Sequence, residues 1–326
     1  MTKTHSNKPI SLIHNYKTKS GKPITLGTGT GTKWQWLKKG RPDDEQDTLH
    51  QDLVDQLILA LENGYNHIDT AEVYTTHSEV AAAVKQSGIP REDLWITTKY
   101  NPGFRTFVAR SKTPTEFIDN ALKELETDYV DLFLIHSPFF GEVISHGQTI
   151  ESAWKELIAA KKAGKVREIG VSNFAVAHIE KAIKSSESKE YWPKVNQIEF
   201  HPYLQNQSKN IIDFSKENDI LIEAYGPLTP LFRIKKDGVE IDDHPLKPLL
   251  AKLSEKYGKT DSQILLRYTL QKGILPITTS SKVERIKQSL DIYDFAISNE
   301  DFDEIETIGN SYPFRGFFDE EFKDFD

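Results

Sequence analysis

Short apolar runs alternate with segments of helical periodicity along almost the whole chain. Eight runs rich in β-branched or aromatic residues begin near positions 24, 67, 94, 129, 166, 195, 220 and 274. Between them, apolar residues recur every three or four positions, as in 53–63, which predicts amphipathic helices. Capping residues mark two of the helix starts, with Thr113 before Pro114 and Thr260 before Gln263.

Repeated strand and helix units predict a parallel sheet joined by right-handed crossovers. Eight strands in 326 residues favour a closed (β/α)8 barrel, the TIM barrel of the α/β class, over an open doubly wound sheet. Since no linker or change of composition is visible, we expect a single domain over 1–326. It would carry a β-hairpin at 16–24, a polar loop from Trp34 to Asp47, a helix capped by Ser281 and a Phe-rich tail.

Composition excludes several classes of protein. The chain has 41 Lys and Arg against 49 Asp and Glu, so its formal net charge of −8 disfavours nucleic acid and anionic membranes as partners. No apolar run reaches the length of a membrane span, and Met1–Pro9 lacks the apolar core of a signal peptide. The chain has no cysteine and therefore no disulfide or thiolate site. We expect a cytoplasmic protein that is a monomer or a weak homodimer.

Chemically active side chains follow the ends of the early strands. Asp69 ends the second strand, and Tyr74 lies five residues further on. Lys99 ends the third strand and His136 ends the fourth. In a barrel these ends meet on one face. Lys99 would lower the pKa of the Tyr74 phenol and Asp69 would hold Lys99 charged, while His136 would position a substrate carbonyl. Each residue alone fits a structural role, so the hypothesis depends on their occurrence together.

The later strand ends carry groups that suit a nicotinamide dinucleotide phosphate. Hydroxyl and amide groups for a carboxamide occur at Ser172, Asn173 and Gln197. Tyr225 offers a flat face for a planar ring. The run 279–282, Thr-Ser-Ser-Lys, opens a helix whose free N–H groups favour an anion, and a guanidinium follows one turn later. A proton donor beside such a cofactor indicates carbonyl reduction.

Longer motifs make the chain resemble the aldo-keto reductases over nearly its whole length. These motifs are GTGT at 29–32, HIDTAEVY at 67–74, TK at 98–99, LIHSP at 134–138, GVSNF at 170–174, NQIEFHP at 196–202 and AY at 224–225. The resemblance implies an NADPH-dependent oxidoreductase with a catalytic tetrad of Asp69, Tyr74, Lys99 and His136. It implies NADPH, or NADP+, as the cofactor and no metal.

Carried over residue by residue, the resemblance places the cofactor at the glycine-bearing loop and the later strand ends. The expected contacts are Gly31, Thr32, Lys33, Asp69, Ser172, Asn173, Gln197, Tyr225, Gly226, Pro227, Leu228, Thr279, Ser280, Ser281, Lys282 and Arg285. Two details depart from the family pattern. The lysine that usually follows the strand-eight proline comes later, at Lys282, and Gln288-Ser289 replaces a common Glu-Asn pair. The positive, hydroxyl-rich helix start still favours NADPH over NADH.

Within the family, three segments resemble the fungal conjugated polyketone reductases and the related α-keto amide reductase. They are GTKW at 31–34, HSPFF at 136–140 and TTSSK at 278–282. This subgroup implies cyclic vicinal dicarbonyls as substrates, including isatins and ketopantoyl lactone, which is 2-dehydropantolactone. The expected substrate pocket consists of Trp34, Tyr74, His136, Phe139 and Phe140, with tail aromatics Phe314, Phe317 and Phe318 as further candidates.

Other functions remain open at this stage. One is a general reductase of aldehydes, α-keto esters or α-keto amides. Another is a non-catalytic subunit that binds NADPH, although the intact tetrad argues against it. A metal-dependent barrel hydrolase needs clustered ligands at the strand ends, and His136 and His201 are instead scattered.

Overall fold

The computed structural model describes residues 13–236, 239–241, 243–323 and 325, so the predicted absence of a signal peptide at Met1–Pro9 lies outside it. Within these residues, eight parallel strands form a sheet: β1 (Gly27–Gly29), β2 (His67–Asp69), β3 (Trp95–Tyr100), β4 (Val130–Ile135), β5 (Val166–Ser172), β6 (Val195–Glu199), β7 (Leu221–Tyr225) and β10 (Leu275–Thr278). They close into a barrel in the order β1-β10-β7-β6-β5-β4-β3-β2. The predicted (β/α)8 barrel is thereby confirmed.

Helices lie between the strands and cover the barrel. They are α1 (Lys33–Lys39), α2 (Gln51–Glu62), α3 (His77–Ser87), α4 (Pro114–Glu124), α5 (Ile150–Lys162), α6 (Val176–Lys184), α7 (Ile211–Glu217), α8 (Thr229–Phe232), α9 (Leu246–Tyr257), α10 (Asp261–Gln271), α11 (Val283–Leu290) and α12 (Asn299–Asn310). The predicted caps are present, because Thr113 accepts from the Glu116 N–H and Thr260 forms a capping box with Gln263. No helix among the described residues is long and apolar enough to cross a membrane.

Apolar side chains fill both the barrel and the layer between strands and helices. Leu132, Leu134, Val195, Leu221 and Leu275 belong to one buried cluster that includes the inside of the barrel. A second cluster joins the outer faces of the strands to the apolar stripes of the helices. This arrangement holds the strand ends rigidly, which is what a site built from several strands requires.

The N-terminal hairpin closes one end of the barrel. Lys17 pairs with Pro23 in an antiparallel bridge, which confirms the predicted hairpin. The Tyr16 hydroxyl donates to the carbonyl of Lys194, 2.6 Å away and just before β6, and its ring meets Trp95 edge-on. These contacts lie at the amino ends of the strands. The carboxyl ends therefore form the accessible face.

Three local predictions were wrong. The chain from Lys33 to Lys39 is helix α1 where a polar loop was predicted, because the Trp34 indole is buried and donates to Thr279 Oγ1 at 3.2 Å. Strand β1 begins at Gly27, three residues later than predicted. Helix α11 has Lys282, not Ser281, at its N-cap and no side-chain cap.

A polar segment predicted at 237–244 lies partly outside the described residues. Next to it, β8 (Lys235–Lys236) and β9 (Val239–Glu240) form a separate two-stranded antiparallel ribbon. Short α8 precedes this ribbon and was not predicted. Both additions follow β7, and so they lie in the long connection that leaves the accessible end of the barrel.

Candidate active site

The carboxyl ends of β2, β3 and β4 bring the four predicted catalytic side chains together. Asp69 is the last residue of β2, Lys99 is the last but one of β3, and His136 directly follows β4. Tyr74 ends a 3-10 turn, Glu72–Tyr74, that leaves β2. Parallel pairing of neighbouring strands sets this arrangement, since Asp69 is opposite Thr97 in the ladder.

A buried ion pair forms the base of the site. Lys99 Nζ donates to Asp69 Oδ1 at 2.6 Å and to the carbonyl of Thr70 at 3.0 Å. Lys99 is fully buried and Asp69 nearly so. Burial alone would lower the pKa of Lys99, but the Asp69 carboxylate together with Tyr74 and Glu223 outweighs it, and the pKa lies above its ordinary value. Lys99 therefore stays an ammonium ion.

The Tyr74 phenol lies between this cation and His136. Lys99 Nζ is 5.2 Å from the centroid of the Tyr74 ring, and the Tyr74 hydroxyl is 3.5 Å from His136 Nε2. Burial raises the pKa of Tyr74 above its ordinary value, and Lys99 opposes this by favouring the phenolate. The predicted direction of the Lys99 effect agrees, but the expected net fall in pKa does not. A raised pKa keeps the phenol protonated at neutral pH, which is the form a proton donor needs.

His136 is held neutral. Burial, and then the charge of Lys99, lower its pKa well below the ordinary value. Its ring meets Tyr74 edge-on with the centroids 5.6 Å apart, and its carbonyl accepts from Asn173 Nδ2 at 3.0 Å. A neutral imidazole can donate one hydrogen bond to a carbonyl oxygen beside the phenol without adding charge.

Gly31 contacts the phenol directly. A Cβ at this position would lie 2.7 Å from Tyr74 Cζ. The following residue, Thr32, has a positive φ of 43°. Gly31 was predicted to let a cofactor approach, and the structure shows that it also lets the Tyr74 ring pack against the loop.

The predicted carboxamide-binding groups form one hydrogen-bonded cluster. Ser172 Oγ donates to the carbonyl of Gln197 at 2.8 Å, and Asn173 Nδ2 donates to Ser172 Oγ at 3.1 Å. The Tyr225 hydroxyl donates to Asn173 Oδ1 at 2.7 Å. Gln207, which sequence reasoning did not place in the site, donates to both Asn173 and Tyr225. The four predicted residues are thus brought together and held rigidly.

A buried acid below this cluster was also missed. Gln197 Nε2 donates to Asp69 Oδ2 at 2.8 Å and to Glu223 Oε2 at 2.9 Å. Glu223 is fully buried, and desolvation raises its pKa to about 8. Its position in the middle of an apolar strand gave no sign of a role, because only the register of β6 and β7 places it opposite Gln197.

A second region, beside β10, carries the predicted phosphate-binding groups. Lys33 Nζ is 3.4 Å from Ser281 Oγ, so α1 adds a cation to the start of α11. Lys33, Lys282 and Arg285 are exposed, and none pairs with a carboxylate of a described residue. Ser280 Oγ accepts from the Lys282 N–H at 3.2 Å. Exposed and unpaired, these cations suit an anionic ligand.

The turn after β7 holds three further predicted contacts. Gly226 has a positive φ of 68°, and its carbonyl accepts from the Thr229 N–H at 3.0 Å. Pro227 and Leu228 complete this turn, which leads into α8. The turn follows Tyr225 directly, so it borders the carboxamide-binding cluster.

Aromatic side chains from the loops and the C-terminal tail pack together beyond His136. The Phe139 ring centroid lies 5.9 Å from that of Phe104, 5.5 Å from Phe318 and 5.9 Å from Phe322. Phe140 packs against the core. Phe139 therefore lies among apolar rings, and its place in a substrate pocket stays a prediction; Phe104 and Phe322, which share this ring cluster, were not predicted there. Trp34 is 2% exposed and its indole N–H is engaged by Thr279.

One glutamate anchors the tail to the barrel. The buried Glu199 carboxylate, at the end of β6, accepts from the N–H groups of Gly316 at 2.8 Å and Phe317 at 3.1 Å. Phe317 meets the Tyr225 ring edge-on at 5.3 Å. Phe314 packs near His201. No group of three His, Cys, Asp or Glu in the part of the chain described here is arranged to hold a metal ion.

Comparison with known proteins identifies the family of this chain. Residues 23–310 match the model of the aldo/keto reductase family. The NADPH-dependent alpha-keto amide reductase of Saccharomyces cerevisiae is 41% identical over 88% of this chain and 87% of its own. The glyoxal reductase of Bacillus subtilis is 37% identical over 78% of this chain and 83% of its own. The structure of a Bombyx mori aldo-keto reductase in complex with NADP matches with a TM-score of 0.74 and 28% identity, over 95% and 96% of the two chains. The chain therefore belongs to the aldo/keto reductase family.

Proposed function

We propose that the protein is an NADPH-dependent carbonyl reductase. The observation that carries this proposal is the buried Asp69–Lys99 pair beside a protonated phenol and a neutral histidine. Such a set donates a proton without a metal. The yeast relative is NADPH-dependent by name, and the silkworm structure contains NADP, which supports the same cofactor here.

The residues present fit this cofactor chemically. Ser172, Asn173 and Gln197 would hold the carboxamide, and Tyr225 would lie against the nicotinamide ring. The unpaired Lys33, Lys282 and Arg285 would hold the 2′-phosphate, which distinguishes NADPH from NADH. Gly31, Thr32, Gly226, Pro227, Leu228, Thr279, Ser280 and Ser281 would line the rest of the site. When bound, NADPH supplies the hydride that reduces the carbonyl carbon.

Side chains of the protein itself deliver the proton to the carbonyl oxygen. Tyr74 gives its hydroxyl proton to the carbonyl oxygen, so that the product is a hydroxyl group and a phenolate remains. Lys99 stabilises the phenolate as it forms, and Asp69 keeps Lys99 charged and in place. His136 donates a hydrogen bond to the same oxygen and orients the carbonyl. Solvent then returns a proton to Tyr74.

Cyclic vicinal dicarbonyls are the proposed substrates. The aromatic group around Phe139, three residues after His136 in the chain, offers flat apolar surfaces, and such surfaces suit planar compounds such as isatin. The yeast relative is named for α-keto amides, in which the reduced carbonyl also adjoins a second one. These points support ketopantoyl lactone and isatins as substrates.

Reduction of simple aldehydes is the second candidate. It is favoured by the names of two relatives, the Bacillus subtilis glyoxal reductase and the NAD/NADP-dependent indole-3-acetaldehyde reductase of Schizosaccharomyces pombe. The same tetrad would carry out this reaction, so that only the aromatic pocket separates the two candidates.

The test is NADPH oxidation by the purified protein with ketopantoyl lactone, isatin and a plain aldehyde in parallel. Matched reactions with NADH are the cofactor control. We expect the two dicarbonyls to be reduced fastest, and with NADPH only. Turnover of the aldehyde alone would support the second candidate, whereas no turnover despite tight NADPH binding would indicate a non-catalytic binding subunit.

A further inference from the structure

Two buried carboxyl groups share one amide beneath the proposed nicotinamide site. Glu223 lies on β7, directly opposite Gln197 on β6 and Leu275 on β10. Asp69 approaches the same amide from β2, across the barrel. Glu223 is fully buried and its second oxygen, Oε1, has no hydrogen-bond partner among the described residues. An acid at such a position needs a reason, because burial of a carboxyl group is costly.

The hydrogen bonds fix which end of the Gln197 amide is available. A primary amide has two N–H hydrogens, and Gln197 donates one to Asp69 Oδ2 and the other to Glu223 Oε2. Its carbonyl Oε1 takes no hydrogen bond from any residue in the described ranges. The Gln197 side chain can therefore bind a ligand only by accepting a hydrogen bond. An acceptor selects the NH2 end of a carboxamide.

Asp69 alone would not fix the orientation of the Gln197 amide. With Asp69 as the single anchor, the amide could turn about its one hydrogen bond, and its second N–H would remain free to donate. Glu223 takes up that second N–H and fixes the plane of the amide. We propose that Glu223 is a positioning residue, which holds Gln197 so that its carbonyl oxygen receives the carboxamide NH2 of the nicotinamide cofactor. This inference rests on the cofactor site of the proposed function and assigns a role to a residue outside the tetrad.

The first test uses a cofactor that lacks the group in question. In 3-acetylpyridine adenine dinucleotide phosphate a methyl group replaces the NH2 of NADP+, while the carbonyl is kept. We expect the wild-type protein to bind NADP+ about tenfold more tightly than this analogue, which is the size of one hydrogen bond. In Glu223→Leu we expect the ratio of the two dissociation constants to fall to about twofold, because Gln197 is no longer held.

Two variants serve as controls. Glu223→Gln keeps a carbonyl oxygen that can accept from Gln197, and it should restore the wild-type ratio. Glu168→Leu removes a strand glutamate that pairs with Lys161 on the outside of the barrel, and it too should keep the ratio. A ratio in Glu223→Leu that equals the wild-type ratio would overturn the proposal, since a merely structural Glu223 would weaken both ligands alike.

If Glu223→Leu does not fold, a second measurement tests the positioning role of Glu223 without that variant. The groups that face Glu223 are Asp69, Lys99, Gln197 and, from the N-terminal hairpin, Tyr16. Because burial raises the pKa of Glu223 to about 8, the residue gains a negative charge as pH rises through that value. Ionisation strengthens the hydrogen bond that Glu223 accepts from Gln197, so the wild-type ratio of the two dissociation constants should rise about twofold between about pH 7 and 9.

Glu223→Gln cannot ionise and should lack this rise in the ratio of the dissociation constants. Superimposable pH profiles for the wild-type protein and Glu223→Gln would overturn the proposal. The two binding constants need no turnover, and so they separate this inference from the proposed function. A protein that reduces no carbonyl but shows the expected loss of discrimination would contradict the function and retain the role of Glu223.

Discussion

Two ion clusters lie at opposite ends of the barrel, and they differ in the groups that their charges face. At the amino end of β4, Asp131 accepts from Arg91 at 2.7 Å, from Arg167 at 2.6 Å and from the N–H of Ile96 at 3.0 Å. Arg91 also donates to three other groups of neighbouring segments. This cluster links four segments, and both oxygens of the Asp131 carboxylate are engaged in these contacts.

The cluster at the carboxyl ends also reaches a group with a proposed chemical role. Lys99 has three N–H hydrogens, and it donates to Asp69 and to the carbonyl of Thr70. Its positive charge and its remaining hydrogen are directed at the Tyr74 phenol, whose pKa they lower against the effect of burial. The same kind of buried pair thus stabilises the fold at one end, and at the other end keeps a charge available for chemistry. This division agrees with the general roles of the two faces of a (β/α)8 barrel.

The largest expected effect comes from removing the cation that faces Tyr74. Lys99→Met should lower kcat by about 1,000-fold, because Tyr74 loses the charge that stabilises its phenolate. NADPH affinity, measured by fluorescence titration, should change by less than about threefold. Arg167→Met at the opposite cluster is the matched control and should keep the wild-type kcat. Equal losses of kcat in the two variants would remove the distinction between the clusters.

The next effect is on stability rather than turnover. Asp131→Asn should lower the free energy of unfolding by about 3 kcal/mol, because two arginines lose their buried counter-ion. Urea denaturation measures this loss, and kcat per folded molecule should stay within about twofold of wild type. Asp119→Asn breaks the half-exposed pair with Lys165 and should cost less than about 1 kcal/mol. A similar cost for both substitutions would show that the Asp131 cluster is not structural.

A smaller effect tests the packing of the phenol. Gly31→Ala should lower kcat about tenfold, because the new Cβ would lie 2.7 Å from Tyr74 Cζ and displace the ring. Gly29→Ala, two residues earlier at the end of β1, is the matched control, where the nearest atom to a new Cβ lies 3.7 Å away, at Ile277. Steady-state kinetics with one dicarbonyl compares the two variants. A Gly31→Ala protein as active as Gly29→Ala would show that the phenol position is not set by this contact.

The barrel and the convergence of the four predicted catalytic side chains could be predicted from the sequence for a single physical reason. Parallel strands in a barrel bring their carboxyl ends to one face, so chemically active residues at successive strand ends must converge. Asp69, Lys99 and His136 could be placed from that rule without coordinates. Tyr74 could be placed as well, because it belongs to the same sequence motif as Asp69, at 67–74.

Other features depend on register and packing that a sequence does not display. Glu223 looks like a polar interruption of an apolar strand until the ladder sets it beside Gln197. The role of Glu199 cannot be read from the sequence, because the tail N–H group that it binds, at Gly316, lies more than a hundred positions further along the chain. Helix α1 was missed because the contact from Trp34 to Thr279 stabilises it, and local periodicity does not. The raised pKa of Tyr74 likewise depends on burial in the folded site.

The most direct test of the central claim compares Tyr74→Phe with the wild-type protein. Turnover of a dicarbonyl with NADPH and the dissociation constant for NADPH are measured on the same preparations. The proposed mechanism predicts a loss of kcat of about 1,000-fold with unchanged cofactor affinity, because only the proton donor is removed. Turnover within about tenfold of wild type would contradict the role of Tyr74 as the donor.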